Sequence, residues 1–127
     1  MGADEYVKLA MRTDDQQSTN RLSKWMFSND QTNIKDVGLL LMSLLGLSGE
    51  VGEFTDLFKK WIFHNSEFSF EHAKRELGDI LWYVASICKA MNWSMEDIME
   101  TNINKLKDRY PDGFTEYCAN HRKESDN

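Results

Sequence analysis

Proline is almost absent from this chain of 127 residues: a single one, Pro111, lies near the C-terminus. Everything before it lacks the strongest helix breaker, and Leu, Met, Lys and Glu are plentiful, so an all-α fold is expected. Cysteine is scarce too. Cys88 and Cys118 are too few and too far apart for a disulfide framework or a zinc knuckle, and both are read as reduced cytosolic thiols. There is no basic excess. Fifteen Lys and Arg against 21 Asp and Glu give a formal charge of −6, which speaks against a nucleic-acid polymer as partner and means that a polyanionic ligand needs a metal as intermediary. Long apolar runs are missing as well. The longest, Leu39 to Leu45, is interrupted by Ser43 and too short for a bilayer. The opening Met1-Gly2-Ala3-Asp4-Glu5 has neither the basic nor the apolar segment of a secretory leader, and Tyr6 stands where a myristoylation signal wants Ser or Thr. A soluble cytoplasmic protein with no membrane partner is the expectation.

At this length one domain over residues 1–127 is expected, near the size where oligomerisation often completes the burial. Residues 4 to about 11 read as a short helix, 14–20 as a polar loop, 21–27 as another helical piece and 28–33 as a turn-rich stretch. From Gly38 to about Phe63 the pattern is one long amphipathic helix, broken at Asn65 and Ser66. Ser69 is placed as the N-cap of a second long helix, Phe70 to Met91. Ser94 with Asp97 three residues on opens a third, which ends near Arg109 because Pro111 cannot continue it. Residues 119–127 read as a flexible tail.

The chemistry lies on the two long helices. The first carries Glu50-Val51-Gly52-Glu53 and the second Glu76-Leu77-Gly78-Asp79, so each presents two carboxylates at i, i+3. In an antiparallel hairpin pivoting near Asn65, Glu53 falls level with Glu76 and Glu50 with Asp79, each pair offset by about 1.5 Å. Such acids are ordinarily solvated charges paired with Lys or Arg. Here Leu47, Phe54, Leu57, Leu77, Ile80 and Tyr83 flank them and place the stripe at the edge of a core. Gly46 and Gly49 beside the stripe are expected to leave room for a ligand. Four converging carboxylates repel one another unless a cation joins them, and oxygen-only ligands suit Mg²⁺, with Mn²⁺ as substitute. A di-iron site would need Glu-x-x-His on two helices. His64, His72 and His121 do not stand at that spacing, and each is read as an exposed or loop histidine.

With these residues in view, the chain resembles the MazG-like members of the all-α nucleoside triphosphate pyrophosphohydrolases. Gly46-Leu47-Ser48-Gly49-Glu50-Val51-Gly52-Glu53 is similar to the family's first acidic motif and Glu76-Leu77-Gly78-Asp79-Ile80-Leu81-Trp82-Tyr83 to its second. The stretch from Asn102 through Lys105 and Arg109-Tyr110-Pro111-Asp112-Gly113-Phe114 is similar to its C-terminal motif. The likeness covers residues 39–114. It implies hydrolysis of a nucleoside or deoxynucleoside triphosphate, noncanonical ones of the nucleotide pool included, to the monophosphate and pyrophosphate, with Mg²⁺ held by Glu50, Glu53, Glu76 and Asp79. It further implies substrate contacts from Lys60, Asn102, Lys105, Arg109 and Tyr110, and a homodimer or dimer of dimers. Trp25, Trp61, Trp82 and Tyr83 are candidates for a base-stacking wall. Two alternatives remain open at this point: phosphoribosyl-ATP pyrophosphohydrolase, and a noncatalytic helical oligomer that binds metal or nucleotide.

Overall fold

The computed structural model describes residues 1–28 and 33–122. Most of the expected turn at 28–33, and residues 123–127 of the expected tail, lie outside the described residues. The chain divides into two compact units, Met1–Ile34 and Lys35–Asn127.

In the first unit α1 (Ala3–Ala10) runs into a 3₁₀ turn, Met11–Thr13, and α2 spans Ser18–Phe27. The second helix starts three residues earlier than the sequence suggests. Asp15 explains this: its carboxylate accepts the Gln17 N–H at 3.0 Å and the Arg21 guanidinium at 3.0 Å, tying the first turn of α2 to the loop before it. The same guanidinium holds the Asp15 carboxyl below the usual carboxylate range.

The second unit contains α3 (Val37–Phe63), α4 (Phe70–Met91), α5 (Met95–Arg109) and the short α6 (Glu116–Asn120). No strand occurs among the described residues. Each helix begins at a side-chain cap. Asp36, Ser69, Ser94 and Thr115 accept the N–H of Leu39, His72, Asp97 and Cys118 respectively, satisfying donors that have no partner inside a helix. α4 stops at Asn92, whose φ of 56° turns the backbone left-handed, and the Trp93 N–H returns to the Cys88 carbonyl at 2.9 Å. The amides of Lys35 and Asp36 both donate to the Ala90 carbonyl, at 2.8 and 3.1 Å.

α3 packs on α4. Ser43 meets Ser86, Gly46 meets Tyr83, and Glu50 meets Asp79, so progress along one helix is matched by retreat along the other. Residues 64–69 join them. Phe68 fills that joint, 4.2 Å from the Trp61 ring in a stacked pair and 4.9 Å from Phe58.

Little of the apolar surface is covered. The buried hydrophobic residues among those described are Ala73, Cys88 and Ala90, all small. Leu45 (77%), Phe63 (76%) and Leu81 (62%) remain exposed. α3 also differs from the sequence expectation in one respect. Its apolar character extends well past the Leu39 to Leu45 run, and an 18-residue window reaches a mean hydropathy of 1.4, long and apolar enough by composition to cross a bilayer.

Candidate metal centre

The site is built two turns from a tightly pinned layer. Ser43, with no exposed surface, lies with its Oγ 2.6 Å from Ser86 Oγ, and Ser86 Oγ donates to the Tyr83 carbonyl at 2.9 Å. Beside them the Tyr83 ring occupies the space a side chain on residue 46 would take: a Cβ at Gly46 would collide with the ring. The sequence expectation that Gly46 leaves room for a ligand is thus corrected, because an aromatic ring of α4 fills that room. Gly49 does face open space.

With the register fixed in this way, Glu50 of α3 and Glu76 and Asp79 of α4 each place a carboxylate oxygen within 4.8 Å of the others. Glu50 Oε2 and Glu76 Oε2 are buried and have no hydrogen-bond partner. Loss of hydration raises the Glu50 carboxyl above its ordinary range, and the neighbouring charges of Glu53, Asp79 and Glu76 push it further in the same direction. Orphaned, half-buried carboxylate oxygens that repel one another fit a hard cation, which would supply the missing partner for each. A cleft of about 350 Å³ opens beside them, lined by Glu50, Asp79, Trp82 and Tyr83.

Glu53 stands apart from the three. It is exposed on α3 and outside the cluster, since residues three apart on a helix differ by about 60° around its axis. Its charge still reaches Glu50.

The remaining candidates are distributed over other surfaces. Lys60 Nζ lies 2.8 Å from Asp56, which Lys59 also approaches at 3.0 Å. These two ammonium groups hold the Asp56 carboxyl low, and Asp56 in turn raises Lys60. Asn102 and Lys105 line a second cleft of about 380 Å³ with Trp93, Asp97, Ile98 and Thr101, and none of the clustered carboxylates borders it. Arg109 is the last residue of α5 and half-buried. The Tyr110 ring lies 5.6 Å from Phe114. Of the aromatic candidates, Trp82 and Tyr83 border the carboxylate cleft, whereas Trp61 belongs to the ring cluster at the joint.

Sequence reasoning passed over two features. Trp93 and Thr101 on the second cleft carried no motif. His72, read as a bland exposed residue, has Nε2 3.5 Å from Glu76 Oε1; the signal was its i, i+4 spacing to that acid.

The described residues are helical throughout their regular structure, and acidic residues from two packed helices converge where a cation could join them. The family follows from the sequence itself: the model of the MazG nucleotide pyrophosphohydrolase domain matches residues 40–114, and the chain belongs to that family. A "Gene 37 protein" of Mycobacterium phage L5 is 28% identical over 82 residues, covering 61% of this chain and 72% of that protein. No solved structure matches the chain at a significant level.

Proposed function

We propose that this protein is a Mg²⁺-dependent pyrophosphohydrolase that converts a nucleoside or deoxynucleoside triphosphate to the monophosphate and pyrophosphate. The observation that carries the reading is the convergence of Glu50, Glu76 and Asp79 with two buried oxygens lacking partners, in a chain of a pyrophosphohydrolase family. These three residues would hold the ion, with Glu53 adding charge from the next turn of α3. When bound, Mg²⁺ offsets the charge of a polyphosphate and favours attack by water. Asp79 and Glu50 border the cleft in which the phosphates would lie, and Trp82 and Tyr83 form its apolar wall. Lys60, Asn102, Lys105, Arg109 and Tyr110 are proposed to contact the substrate.

The active form is proposed to be a homo-oligomer. A core of Ala73, Cys88 and Ala90 is too small to sustain the unit alone, and exposed Leu45, Leu81 and Trp82 call for a second apolar face. Another copy suits α3 better than a bilayer does, because Glu50 near the middle of this helix would be costly in hydrocarbon. Location in the cytoplasm accords with that reading.

The test is pyrophosphate release from a panel of standard and modified nucleoside triphosphates with Mg²⁺. Stoichiometric monophosphate and pyrophosphate, abolished by EDTA, is the expected result. Binding of Mg²⁺ or nucleotide without turnover across the panel would defeat it.

A further inference from the structure

We infer that His72 is a positioning residue for the metal centre, its imidazole holding the Glu76 carboxylate turned toward Glu50 and Asp79. The inference rests on the metal site proposed above and adds a residue outside the acidic quartet. His72 and Glu76 are i, i+4 on α4, with Nε2 3.5 Å from Oε1, while Oε2 of the same carboxylate is buried without a partner. The two oxygens therefore have different surroundings. One faces an imidazole and the other is buried without a partner.

The His72 side chain is 52% exposed and that of Glu76 is 16% exposed, so of the two groups the ring is the one more open to water. Its starting point is also fixed, because the His72 N–H donates to Ser69 Oγ at 3.2 Å in the capped first turn of α4. At 3.5 Å the contact exceeds a full hydrogen bond, so its contribution is orientation: an N–H on Nε2 beside Oε1 favours the carboxylate rotamer that keeps Oε2 buried. Outer-shell groups of this kind commonly set how tightly a ligating carboxylate holds its ion.

The experiment is Mn²⁺ binding to the full chain, followed by the electron paramagnetic resonance signal of free Mn²⁺ at pH 8. His72→Ala should weaken binding by about tenfold or more. His72→Gln places an amide donor where Nε2 stands and should recover most of that loss, whereas the shorter His72→Asn should not. Thermal melting in EDTA should be alike for all forms, and if His72→Ala does not fold, the Gln and Asn pair carries the comparison. Wild-type affinity in His72→Ala or His72→Asn overturns the inference and leaves the proposed function standing. No rescue by Gln overturns it also, since a donor at that position would then be irrelevant. Absence of Mn²⁺ binding by the wild type removes the metal centre and this inference with it.

Discussion

Two layers of the α3/α4 pair treat buried polar atoms in opposite ways. In the first, Ser43 and Ser86 bury their hydroxyls and satisfy them with each other and with the Tyr83 carbonyl. Two turns further along α3, Glu50 buries a carboxylate oxygen that has no hydrogen-bond partner, and so does Glu76 on α4. The helices, their spacing and their register are shared, so the contrast lies in the side chains alone. Where the fold needs only itself, its polar groups close on one another; where a cation is proposed to bind, they are left open. An unsatisfied buried acid weakens the empty protein and strengthens its hold on a cation.

The sharpest way to break this contrast is Glu50→Gln. Pyrophosphate release should fall by on the order of a hundredfold or more, since even outer-shell partners of metal ligands cost 10–100-fold. Stability of the metal-free protein should move the other way. The Glu50 carboxyl is raised in the folded state, so its favourable contribution is complete below its unfolded value of about 4.3 and is lost as pH rises through the higher folded value. At pH 7 in EDTA the Gln variant should therefore melt above the wild type, and near pH 4 the gap should close. Mg²⁺ should raise the melting temperature of the wild type more than that of the variant. Calorimetry at the two pH values checks the sign.

A smaller effect separates two glycines. Gly46→Ala should destabilise by about 1–3 kcal/mol, because the added Cβ meets the Tyr83 ring in a packed layer. Gly49→Ala meets open space and should stabilise the helix by about 0.5–1 kcal/mol. Denaturant melts of the two variants should thus shift in opposite directions, and a shift of the same sign would mean that the two layers are packed alike.

An effect of similar size to that at Gly49 is expected at Ser43. Ser43→Ala leaves Ser86 with the Tyr83 carbonyl as its partner, so the loss should be about 1 kcal/mol. Adding Ser86→Ala should cost less than a second full increment, since both hydroxyls are then gone and neither is stranded. A double-mutant cycle measures this coupling directly.

Legibility in the sequence followed local chemistry. α4 has the bounds expected from its sequence because Ser69 and Asn92 mark its ends with side-chain and backbone devices that a reader can recognise. α5 begins after Ser94 for the same reason. α6 was missed: five residues behind Thr115 are too few to show a helical period. The approach of Glu50 to Asp79 could be anticipated by counting along two helices joined by a short link. What counting could not supply was rotation about each axis, which leaves Glu53 exposed, or the identity of the group that fills the gap at Gly46. The cleft bearing Asn102 and Lys105 was hidden for another reason, since its Trp93 wall stands before the helix and outside the motif.

The paired amides of Lys35 and Asp36 on the Ala90 carbonyl form a clasp between the entry to α3 and the exit from α4. Ala90 has no exposed surface, and a carbonyl in the last turn of a helix lacks an intrahelical donor. The clasp therefore supplies what water would otherwise have to reach. A chain cut before Lys35 keeps this closure and the Asp36 cap together, whereas one cut before Gly38 loses both at once. Amide hydrogen exchange would register the difference at the far end of α4, where protection of Asn92 and Trp93 should drop although neither residue had been touched by the cut.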